Sequence, residues 1–65
     1  MTAIGTNRFY SVNDKVIHLL TELTGTIHRV RFDDRGEVLY TVFLDDVHAT
    51  PDGIMYARHY ELKKV

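Results

Sequence analysis

Apolar residues in this chain alternate over short runs, and nowhere do they recur at helical spacing. Residues 14–20, DKVIHLL, place Val16, His18 and Leu20 on one parity and Ile17 and Leu19 on the other. That pattern predicts a strand covered on both sides for part of its length. TELTG follows, with Gly25 suited to a turn or a strand start. Residues 25–33 are rich in Thr, Ile, Val, Arg and Phe and favour an extended chain. Their alternation slips: Ile27 shares a parity with Arg29 and Arg31, and Val30 with Phe32. If Ile27, Val30 and Phe32 all face inward, an extra residue must be absorbed near His28 and Arg29. A β-bulge does this and bends the strand sharply.

Residues 33–36, DDRG, read as a hairpin loop with Gly36 suited to positive φ. The third strand, EVLYTVFLDD, sets Val38, Tyr40, Val42 and Leu44 against Leu39, Thr41 and Phe43. Residues 45–53 form the longest loop, with Pro51, Asp52 and Gly53 as its turn signal. A fourth strand is expected over residues 53–59, a single helical turn at HYEL, and a short fifth strand at KKV. Five short strands without a long helix predict a small antiparallel barrel or sandwich, and closure protects its edges. The expected core is Val16, Leu20, Ile27, Val30, Phe32, Val38, Tyr40, Val42, Leu44 and Leu62.

Four segments carry a resemblance. They are Asn13-Asp14-Lys15-Val16, Gly25-x-Ile27-x-x-Val30, Tyr40-x-Val42-x-Leu44-Asp45, and Glu61-Leu62 with a short β tail. Together they resemble the SH3-like barrel pattern of small bacterial KOW-, Tudor- and CarD-type modules. The resemblance implies an all-β, small five-stranded SH3-like barrel over residues 10–65, with one short helical turn before the last strand. Residues 1–9 would form a flexible arm ahead of it. The family usually has Gly where Asn13 stands, and Asn also tolerates a left-handed backbone. Such barrels host many unrelated activities, so function must be argued from residues.

Composition narrows the options. A 65-residue chain is one domain, and it buries only about 60% of its unfolded surface. With no cysteine, disulfides, thiolate zinc sites and cysteine nucleophiles are all excluded, which leaves oligomerisation as a route to stability. The net charge of −1 gives no bulk attraction to nucleic acid or anionic membrane, so such binding needs a local patch. MTAIGTNRF lacks the apolar run of a signal peptide and no segment approaches a membrane span, so a cytoplasmic protein without a membrane partner is expected.

Two surfaces emerge as candidates. Leu39, Thr41 and Phe43 alternate with the core positions of the third strand, and Met55 is expected to join Leu39 and Phe43 in an exposed apolar patch. That face suits a protein partner or a second copy of the chain, which makes a homo-oligomeric, non-enzymatic interaction module the leading expectation. The alternative is a nucleic-acid or transcription-machinery face, with Arg29, Arg31, Arg58, Lys63 and Lys64 as cations and Tyr56 or Tyr60 as stacking platforms. His28 and His59 belong to the same cluster, and Phe9 and Tyr10 are further candidate platforms. A small-molecule site between protomers is a third option.

Enzymatic and metal readings find little footing. Asp33-Asp34 and Asp45-Asp46 flank opposite ends of one strand, match no calcium-loop pattern, and are better explained by turns and solubility. His18 and His28 are expected on adjacent strands, but two histidines do not make a zinc site. Ser11 is the only serine, with no nucleophile–base motif around it. A plasmid-borne dihydrofolate reductase family also uses an SH3-like barrel, with Gln-Ile-Tyr on its penultimate strand. The matching region here reads Met55-Tyr56-Ala57, and the chain contains no Gln. No catalytic residue, cofactor or metal ligand is assigned.

Overall fold

The computed structural model describes residues 9–65. The alternating runs become five antiparallel strands: β1 (Lys15–His18), β2 (Thr24–Phe32), β3 (Val38–Leu44), β4 (Ile54–Arg58) and β5 (Leu62–Lys64). They form one sheet in the order β4-β3-β2-β1-β5, and a single 3-10 turn, His59–Glu61, joins β4 to β5. That connection runs from one edge of the sheet to the other. A flat sheet would separate its first and fifth strands by about 19 Å. The four peptide steps from Arg58 to Leu62 span at most roughly 14 Å. The sheet is therefore curled, with its edge strands drawn toward each other, although β4 and β5 are not hydrogen-bonded neighbours.

The bend comes from β2. Its register against β3 runs from Gly25 opposite Leu44 to Ile27 opposite Val42, skips His28, and resumes with Arg29 opposite Thr41 and Val30 opposite Tyr40. This is the bulge that the slipped alternation demands. The turns use the backbone conformations expected of them: Gly36 and Gly53 have φ of 80° and 70°, and Asn13 sits at 79° ahead of β1.

Val16, Ile27, Val38, Tyr40, Val42, Leu44, Ala57 and Leu62 form the core, with Tyr10, Leu23, Val30 and Met55 packed against it. Two expected core residues lie outside. Leu20 is 87% exposed, because β1 ends at His18 and a turn begins, so strand parity no longer governs it. Phe32 pairs with Val38 on the inner side but closes the last rung of β2, and it is 57% exposed with its ring edge-on to Phe9. Ala57 is a core residue that the alternation did not single out: it lies opposite Tyr40, where a small side chain leaves room for the buried ring. Of the expected arm, residues 1–8 lie outside the described residues.

Gly25 is a strand residue rather than a turn residue. A β-carbon there would lie 2.5 Å from the Phe43 carbonyl oxygen and 2.6 Å from Val42 Cγ1. The first of these is backbone and cannot swing aside, so β2 and β3 approach this closely only with glycine at this position.

The β4 edge is partly closed by side chains. The Leu44 N–H donates to the Gly53 carbonyl (2.9 Å) while the Gly53 N–H turns back to the Thr50 carbonyl (3.3 Å); Met55 and Ala57 then turn their backbone groups toward β3, and Ile54, Tyr56 and Arg58 turn theirs outward. Ile54 N–H donates to Asp52 Oδ1 (3.1 Å), and its carbonyl accepts from Thr50 Oγ1 (3.2 Å). Arg58 N–H donates to Glu61 Oε1 (2.7 Å). Of the three, Tyr56 alone has neither group taken among the described residues. A free edge is a template for pairing, and these caps shorten it to one residue.

Two outcomes are expected. Gly25→Ala lowers unfolding free energy by about 1–3 kcal/mol in urea titration, and an unchanged midpoint would show that the close approach is not required. The double variant Asp52→Ala/Glu61→Ala sediments with more concentration-dependent association than the parent, and equal behaviour would remove the edge-capping role.

Candidate functional site

The register fixes which side chains share the outer face of β2, β3 and β4. One row is Thr26, Phe43 and Ile54; the next is Arg29, Thr41 and Tyr56; the third is Arg31, Leu39 and Arg58. His28, the extra residue of the bulge, stacks on Phe43 with ring centroids 4.1 Å apart and planes 13° from parallel. Thr41, at the centre, is only 8% exposed although it faces outward, because the strands on both sides carry long side chains beside it. Tyr56 is 60% exposed and Phe43 44%.

Met55 does not belong to this face. It pairs with Val42, a core residue, and packs against the core from the inner side. Its partners in the expected apolar patch, Leu39 and Phe43, do face outward, but Leu39 is half-buried and one face of the Phe43 ring is taken by His28. The patch is thus smaller and more aromatic than the sequence suggested, and its neighbours are arginines.

The basic residues divide. Arg29 and Arg31 are exposed and form no salt bridge among the described residues. Arg58 is committed: its guanidinium lies 3.0 Å from Asp33 Oδ2 and donates to the Val38 carbonyl at 3.3 Å, holding the start of β3 to the end of β2. Lys63 and Lys64 lie on β5, with β1 between that strand and β2, and the Lys64 ammonium sits 3.7 Å from Asp14. Tyr60 belongs to the 3-10 turn and lines a cavity of about 270 Å³ with Phe9, Gly36, Glu37, Val38, Arg58 and His59. The basic cluster expected to converge is therefore two groups, and only Arg29, Arg31 and Tyr56 share the outer face with free side chains.

The remaining titratable groups have structural partners. His18 is buried at the end of β1, and its Nδ1 accepts from the Thr21 backbone N–H (3.2 Å). His18 and His28 thus serve different surroundings. His59 stacks on Tyr10 at 4.7 Å, and its Nδ1 lies 3.0 Å from the Tyr40 hydroxyl. The Tyr40 oxygen accepts from the Tyr10 N–H (2.9 Å), which leaves its own hydrogen for His59. Burial pushes the Tyr40 hydroxyl above its usual pKa, only partly offset by that N–H. Among the described residues no group of three or more side chains is placed to hold a metal ion, and no helix is long and apolar enough to cross a membrane, which says nothing of a β-barrel.

Two carboxylates act as braces. Asp33 Oδ1 accepts from the N–H groups of Arg35 (2.8 Å) and Glu37 (3.0 Å), while its other oxygen faces Arg58. The Glu37 N–H does most to hold its pKa below the usual 3.8, against a smaller upward push from burial. Asp45 accepts from the Lys15 ammonium (2.6 Å) and the Thr24 hydroxyl (2.8 Å), and Lys15 does most to lower its pKa. These acids were read in the sequence as turn residues, and their geometry agrees: each joins strand ends.

Because both carboxylates ionise more readily folded than unfolded, the stability they supply is present above pH 3.8 and lost as pH falls through their lowered values. Acid unfolding followed by circular dichroism should begin below about pH 4, and Asp33→Asn should flatten that limb. An acid limb identical in the variant would contradict the brace.

Comparison of the chain with protein-family models, with curated proteins and with solved structures finds no match.

Proposed function

We propose that this protein is a non-enzymatic binding module with an SH3-like barrel fold, and that the outer face of β2, β3 and β4 takes nucleic acid. The barrel reading is supported by the strand order, by the three-residue crossing between the sheet edges, by the bulge in β2 and by the left-handed Asn13. The functional reading is carried by one observation. The nine paired outward positions include no carboxylate, and two of them are arginines without an ion pair among the described residues. Two acids at the ends of these strands are already occupied, Asp33 by Arg58 and two backbone N–H groups and Asp45 by Lys15 and Thr24.

A chain of net charge −1 has no general affinity for a polyanion, so a segregated basic face marks where an anionic partner docks. Self-association through an apolar patch is the weaker reading, since Met55 lies on the core side and His28 covers part of Phe43.

Binding to an oligonucleotide should weaken steeply with salt. Replacing both arginines, Arg29→Ala/Arg31→Ala, should reduce the slope of log affinity against log salt by about 1.4 for a single strand. Affinity and slope unchanged in the double variant would overturn the assignment of this face.

A further inference from the structure

We infer that the nucleic acid taken on this face is single-stranded, with bases laid on Tyr56 and on the His28–Phe43 stack. The inference rests on the nucleic-acid reading above and narrows its ligand class.

Phe43 lies opposite Ile54 and Tyr56 opposite Thr41, so the two rings stand diagonally across adjacent strands. Diagonal neighbours of this kind sit about 7–8 Å apart, roughly twice the ~3.4 Å rise between bases of a duplex strand. Duplex bases are covered above and below by their neighbours and offer only their edges. Rings at this spacing reach the faces of two consecutive bases only when those bases are unpaired and splayed. Among the described residues the only helical element is a three-residue 3-10 turn, so none of them supplies a helix to enter a major groove.

The cations agree with this geometry. Arg29 lies in the same row as Tyr56, on the opposite side of β3, and Arg31 lies one row along on the same strand. The arginines therefore line the β2 side while the rings stand over β3 and β4. A backbone following β2 directs its bases across the sheet onto the rings. The His28–Phe43 stack is already formed without ligand, so one platform needs no ordering on binding.

The test compares a fluorescent twelve-residue oligothymidylate with a twelve-base-pair duplex by anisotropy at low salt, using the full chain. Tyr56→Leu and Tyr56→Phe are measured alongside, with thermal melting to verify the fold; Tyr56 is an exposed side chain outside the core. The expected result is single-strand binding at least tenfold tighter than duplex binding. Tyr56→Leu loses roughly five- to hundredfold on the single strand with its salt slope unchanged, and Tyr56→Phe keeps the parent affinity. Duplex binding equal to or tighter than single-strand binding, or an unaffected Tyr56→Leu, overturns the single-strand inference and leaves the nucleic-acid reading standing. No binding of either probe at low salt overturns both.

Discussion

The extra residue at His28 decides which side chains this molecule hides. In an unbroken β2, Ile27 opposite Val42 would be followed by Arg29 opposite Tyr40, aiming a guanidinium at the core and turning Val30 to solvent. Burying an unpaired charge costs several kcal/mol. A core of this size, with no cysteine to crosslink it, supplies on the order of 3–5 kcal/mol altogether. The bulge restores both apolar contacts, with Ile27 fully buried and Val30 opposite Tyr40, and sends Arg29 and Arg31 outward. The same insertion frees His28 to stack on Phe43. Fold and candidate surface therefore have a common cause.

Around that bend a polar seam, rather than strand pairing, links the two edges of the sheet. Tyr40, fully buried on β3, receives the Tyr10 N–H and reaches His59 in the 3-10 turn. The Tyr10 hydroxyl donates to the Leu62 carbonyl at 3.1 Å, at the first residue of β5. One buried hydroxyl thus ties together the segment before β1, strand β3 and the connection between the sheet edges. These bonds satisfy polar groups that burial would otherwise leave at a cost of about 1–3 kcal/mol each.

Much of the strand layout was legible in the sequence because period-two alternation and turn residues are local signals. The slip from Ile27 to Val30 revealed the bulge, and the run Val38, Tyr40, Val42, Leu44 is buried throughout. What failed depended on information that is not local. Leu20 followed the parity of β1 past the point where the strand ends. Met55 was placed outward because the long loop before β4 fixes no register; only pairing with Val42 reveals its side. Ala57 gave no signal, being small and unremarkable until set against the Tyr40 ring. Among the site residues, Arg29, Arg31, Phe43 and Tyr56 were visible as candidates, but as members of two separate surfaces. Strand pairing joins them into one, and it assigns Arg58 to Asp33 and Lys64 to Asp14.

We propose that the working surface is a single sheet face whose side chains are set by the bulge. Amide and side-chain NMR shifts recorded during titration with oligothymidylate test it residue by residue. Shifts are expected to concentrate at His28, Arg29, Arg31, Thr41, Phe43 and Tyr56, with Met55, Tyr60, Lys63 and Lys64 unmoved. Shifts centred on Tyr60, Lys63 and Lys64, or none at low salt, would contradict it.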